Sequence, residues 1–104
     1  MTHVDPDELA RAAALDFIDR LIPHCQGLLG TEMLGAYLIG SLVHGGFGRR
    51  YSDIDLALVT EAGLSPQVLD RIRTAATLQS TDWGAKLSVF WTDRHFHICF
   101  VAVV

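Results

Sequence analysis

The sequence predicts a small α/β (α+β) domain, a mixed β-sheet flanked by helices. Three observations lead there. An amphipathic helical period opens the chain, short β-branched and aromatic runs follow between glycines, and a second capped helical stretch separates two of those runs. The 104 residues fit one domain, 1–104. Half of them are hydrophobic and 19% are charged, so the chain has enough apolar surface to offset its ordering entropy.

The first element begins at Asp5-Pro6-Asp7-Glu8, where Asp5 suits a cap, Pro6 the first helical position, and the acids the positive end of the dipole. Leu9, Ala13, Phe17 and Leu21 recur at i+4, with Ala14, Ile18 and Ile22 beside them, which predicts the buried face. Pro23 is expected to kink or end this helix, with Gly27 and Gly30 marking the exit. Gly35 to Ile39 reads as a buried strand, Ser41 to Gly48 as a short helical turn and a glycine-rich loop, and Asp53 to Thr60 as the second strand. Ser65-Pro66 caps a helix whose apolar face carries Val68, Leu69, Ile72, Ala75 and Ala76. Gly84 opens a third strand, Ala85 to Trp91, and His95 to Val104 reads as a fourth.

Composition narrows the function. Eight basic against twelve acidic residues give a net charge of −4, which argues against a general grip on nucleic acid. The longest apolar run, Ile98 to Val104, is far short of the ~20 residues of a membrane span. The N-terminus lacks signal-peptide features. Cys25 and Cys99 are read as reduced core thiols, and the location expected is cytoplasmic.

The chemistry concentrates in Ile39-Gly40-Ser41 and Asp53-Ile54-Asp55-Leu56. On a strand, Asp53 and Asp55 project to one side, about 7 Å apart at Cα, while Ile54 and Leu56 project to the other. Two such carboxylates suit Mg²⁺, which takes one or two carboxylates plus phosphate oxygens and water. Gly40-Ser41 ends one strand and opens a turn, where free backbone N–H groups and the Ser41 hydroxyl suit a phosphate. A phosphate grip beside a metal grip is what a metal–nucleotide needs.

A hydrophobic residue, Gly-Ser, an eleven-residue interval and Asp-Ile-Asp-Leu together resemble the signature of the DNA polymerase β-like nucleotidyltransferase superfamily. The stretch is most similar to the minimal nucleotidyltransferase domain and the core of the aminoglycoside adenylyltransferases. The match is tight from about Tyr37 to Val59 and looser to Trp91. The resemblance implies Mg²⁺-dependent transfer of a nucleoside monophosphate, AMP from ATP in the usual case, to an acceptor hydroxyl. Gly40 and Ser41 would bind the nucleotide, and Asp53 and Asp55 would be the catalytic metal ligands.

The resemblance also implies a third carboxylate on the next core strand. That position falls at Lys86 or Ser88, neither of them acidic, with Asp82 and Asp93 flanking the strand. The resemblance to the adenylyltransferases implies a further helical region for the acceptor, which these 104 residues are not expected to supply. A second expectation therefore stands beside the enzyme: a catalytically weak nucleotide-binding or regulatory module, antitoxin-like, acting with a small helical partner protein or as a homodimer.

The remaining polar and aromatic residues read as ordinary structure. Arg49 and Arg50 are taken as solvated loop, with contact to a triphosphate the alternative, His44 as surface, Trp83 and Trp91 as packing, with stacking on a base open to one of them, and His95 and His97 as a pair without a third metal ligand.

Overall fold

The structure is a computed structural model that describes residues 5–40, 42 and 53–94. The elements run α1 (Pro6–Leu29), a 3-10 turn (Gly30–Glu32), β1 (Met33–Ile39), β2 (Ile54–Thr60), α2 (Pro66–Gln79), α3 (Thr81–Ala85) and β3 (Leu87–Thr92). The result is a mixed α/β fold.

Helix α1 starts as its sequence dictates, with the Asp5 carboxylate accepting from Asp7 N–H at 3.0 Å and Pro6 in the first turn. It does not end at Pro23. Pro23 lies on the exposed side, and so does Asp19, whose carbonyl loses its i+4 donor. Water can satisfy that carbonyl, and the buried Ile18, Leu21 and Cys25 hold the helix on course along its inner side. Gly30, at φ 57°, ends it.

The buried stripe is Ala10, Ala14, Phe17, Ile18, Leu21 and Cys25, and Leu9 is 58% exposed. A strict i+4 row drifts around a helix of 3.6 residues per turn, so the expected row through Leu9 and Ala13 leaves the core at its N-terminal end.

Strand β1 begins at Met33 rather than Gly35, because Met33 pairs with Thr60 across an irregularity before Gly35. Helix α2 is capped by Ser65, whose hydroxyl accepts from Val68 N–H at 3.2 Å. The region expected to open the third strand instead forms α3, capped by the Ser80 hydroxyl accepting from Trp83 N–H at 3.2 Å. Ala85 and Lys86 therefore precede β3, and Lys86 caps α3. Gly84 lets α3 approach α2 closely, since a Cβ there would lie 3.0 Å from the Ala76 carbonyl oxygen and from Thr77 backbone atoms.

The sheet order is β1-β2-β3, with β1 antiparallel and β3 parallel to the central β2. One face presents Ala36, Leu38, Ile54, Leu56, Leu58, Leu87 and Val89 to α1 and α2 and forms the core with them. Gln79 ties the two helices together, its side-chain N–H₂ donating to the Phe17 carbonyl at 2.7 Å. The other face carries Tyr37, Ile39, Asp55, Ala57, Val59, Ser88 and Phe90, by alternation along the paired strands. Among the described residues, no helix is long and apolar enough to cross a membrane.

Candidate functional site

Strand β2 positions the acidic pair. Ile54, Leu56 and Leu58 are fully or almost fully buried on the helix face, so Asp55 is turned to the other face, where it is half-buried. Asp53 lies just before the strand and is exposed. Burial pushes the Asp55 carboxyl above its ordinary value of 3.8, and the Asp53 charge adds to the rise. A divalent cation beside Asp55 would relieve that penalty on its charged form.

Asp55 pairs across the ladder with Ile39 on one side and Ser88 on the other. Gly40 follows Ile39 at φ +79°, in the left-handed region open to glycine. A Cβ at Gly40 would stand 2.5 Å from Asp55 Oδ2. The backbone angle therefore favours glycine there, a side chain would have to displace the Asp55 carboxylate, and the end of β1 is brought against Asp55. Just beyond it, Leu42 is fully buried, and its carbonyl accepts from Arg11 Nε of α1 at 3.1 Å. Sequence alone passed over Arg11, because a contact between residues 31 apart leaves no local signal.

Ser41 of the expected phosphate turn lies outside the described residues, as do His44, Gly45, Gly46, Gly48, Arg49 and Arg50. The expected fourth strand, His95 to Val104, with His95, His97 and Cys99, lies outside them as well.

The parallel register decides between the two positions considered for a third acid. Ser88, directly opposite Asp55, shares its face, whereas Lys86 precedes the strand and its carbonyl accepts from Ile54 N–H at 2.9 Å. Asp93 follows Thr92, the partner of Val59, at the far end of β3. About five strand residues, or some 17 Å, separate it from the level of Asp55. Asp82 is exposed on α3. All twelve acidic residues of the chain fall within the described stretches, and among the described residues no group of three His, Cys, Asp or Glu is placed to hold a metal. The donor set for a cation is thus two carboxylates with a neighbouring hydroxyl. That set fits a Mg²⁺ ion whose remaining positions are filled by phosphate oxygens and water.

The α3–β3 corner holds a cavity of about 610 Å³ lined by Asp82, Trp83, Ala85 and Lys86. The Lys86 ammonium lies 5.4 Å from the centre of the Trp83 ring. A larger cleft of about 730 Å³ follows the seam between α1 and α2, past Pro23, Leu28, Ala75 and Leu78. Among the described residues its lining comes from α1 and α2 alone, with nothing from the sheet that bears Asp55. Cys25, fully buried, has its thiol pushed up to about 11 by burial and is chemically quiet.

No family model, curated protein or solved structure matches the chain.

Proposed function

We propose that this chain is a Mg²⁺-dependent nucleotidyltransferase domain that binds a nucleoside triphosphate, ATP by preference, at the edge formed by Gly40, Asp53 and Asp55, with Ser41 next in the sequence. The observation that supports it best is the apposition of Gly40 and Asp55: a left-handed glycine ends β1 where a side chain would strike the Asp55 carboxylate. A strand end stripped of side chain suits close approach of a phosphate, and the adjoining carboxylates suit its metal. Asp53 and Asp55 would hold the ion. When bound, it supplies charge neutralisation on the triphosphate and stabilises the attacking and leaving oxygens of an in-line displacement. The chain's own part is to fix Asp55 on a paired strand, with Asp53 just before it, and to leave room for the phosphates at Gly40.

A second reading is favoured by Ser88. A hydroxyl faces Asp55 where a further carboxylate would serve as base for an acceptor hydroxyl, and a missing general base costs about 10²–10⁴-fold in rate. The domain is then a nucleotide binder with slow transfer, acting with a partner protein or a second copy. Calorimetry with MgATP on the parent chain and on Asp53→Asn tests the shared part of both readings, and pyrophosphate release from MgATP separates them. Equal affinity of the two proteins for MgATP removes the metal site from both.

A further inference from the structure

The described lining of the cavity at the α3–β3 corner includes neither Asp53 nor Asp55, but one of its residues is bonded to the start of β2. Lys86, in its wall, is hydrogen-bonded through its carbonyl to Ile54 N–H, the residue after Asp53. Its volume, about 610 Å³, lies within the ~300–1,000 Å³ of small-molecule sites. Trp83 is half-buried and packed on one side against the apolar core, so its ring is held in place. The ammonium of Lys86 lies over that ring. An indole face accepts two kinds of partner well, a cation and a flat π-system.

We propose that this cavity is the nucleobase subsite of the nucleotide, with the Trp83 indole as the stacking face and Lys86 as a phosphate-side charge. The inference rests on the nucleotide reading above. The base takes the ammonium's place on the ring. The four-carbon stem of Lys86 then carries its charge toward the triphosphate at the neighbouring acidic edge, where a compact, rotatable cation is suited to phosphate. Stacking on an indole is tolerant of base identity, so this subsite favours a purine by its larger face and does not read the base edge.

The test uses Trp83 as reporter in the full chain carrying Trp91→Phe, which removes the other indole. MgATP and magnesium tripolyphosphate are titrated separately, with tryptophan emission and calorimetry as readouts. MgATP is expected to quench Trp83 and to bind about 5- to 100-fold more tightly than tripolyphosphate, the span of base–aromatic stacking. Trp83→Leu then lowers MgATP affinity to that of tripolyphosphate and leaves tripolyphosphate unchanged, while Trp83→Phe keeps most of the difference. If MgATP and tripolyphosphate bind equally, both through Asp53, the base subsite is overturned and the metal–phosphate site stands. If neither binds, both are overturned. The comparison of the two ligands on the Trp83 protein decides the matter even where Trp83→Leu fails to fold.

Discussion

A Cβ added to Gly40, the residue after β1, would stand 2.5 Å from Oδ2 of the half-buried Asp55 of β2, so one of the two must shift. Gly40→Ala must therefore either push Asp55 aside or distort the φ of +79°. The backbone part alone costs about 1–2 kcal/mol for a residue with a Cβ. The variant is expected to melt several degrees lower and to lose Mg²⁺-dependent ATP binding. Calorimetry and thermal melting read the two effects. Unchanged nucleotide affinity in a folded Gly40→Ala protein would separate the glycine from the site.

The Asp55 carboxylate has opposite consequences for stability and for binding. Asp55 has its pKa raised above 3.8 by burial and by Asp53. A group raised on folding contributes stability that is fully present below its unfolded pKa and lost as pH rises through the folded one. Near neutral pH, with metal removed by EDTA, the ionised Asp55 works against folding. Asp55→Asn should raise the melting temperature there while weakening MgATP binding about tenfold or more, the scale of a lost charged contact. A melting temperature in EDTA at pH 7 no higher than the parent's would contradict the electrostatic account.

The register of β2 and β3 singles out one position for gain of function. Ser88 faces Asp55 in the ladder and Lys86 does not. Ser88→Asp should tighten Mn²⁺ binding and raise pyrophosphate release, whereas Lys86→Glu, off that face and reversed in charge, should not raise it. Equal effects from the two substitutions would show that proximity to the site, rather than the shared face, governs the response.

Two helical glycines should respond in opposite directions. Gly27 has open space around its Cβ position and an ordinary φ, so Gly27→Ala should stabilise α1 by about 0.5–1 kcal/mol. Gly84 faces backbone atoms of α2 at 3.0 Å, and backbone does not yield as a flexible side chain does. Gly84→Ala should cost about 1–3 kcal/mol by forcing α3 away from α2. Urea unfolding of both variants measures the pair.

Cys25 should resist modification in the native protein. Its thiol is fully buried and raised to about 11, so at pH 8 almost no thiolate is present. In a Cys99→Ser background, reaction with a disulfide reagent should follow unfolding and not precede it. Its raised pKa contributes stability present below its unfolded value, 9.0, and lost as pH rises through about 11. Rapid labelling of folded protein at pH 8 would contradict this burial.

Much of the scaffold could be read from local signals. Asp5 and Ser65 announce their helices because capping is a contact between residues two or three apart. Alternation in Asp53-Ile54-Asp55-Leu56 separates the carboxylates from the core without knowledge of any partner strand. Helix α3 escaped because five residues are too few to show a period, and its only signal is the Ser80 cap. Pro23 misled because its effect depends on which side of the helix it occupies, and the tertiary structure decides that. The pairings that define the site, Gly40 with Asp55, Asp55 with Ser88 and Arg11 with the Leu42 carbonyl, join distant segments and have no local signature.

Strand β2 lies in the middle of the sheet, paired on both edges, and its residues from Leu56 to Thr60 are all buried. Amide protons of such a strand exchange with solvent only when the whole domain opens. Asp55 is thus borne on the least yielding segment of the molecule, and adjustment to an incoming ion falls to side-chain rotation and to the ligand's own phosphates. The ion's seat should persist unaltered through warming until cooperative melting, then vanish with it. Its occupancy would then report global unfolding as directly as far-ultraviolet dichroism does.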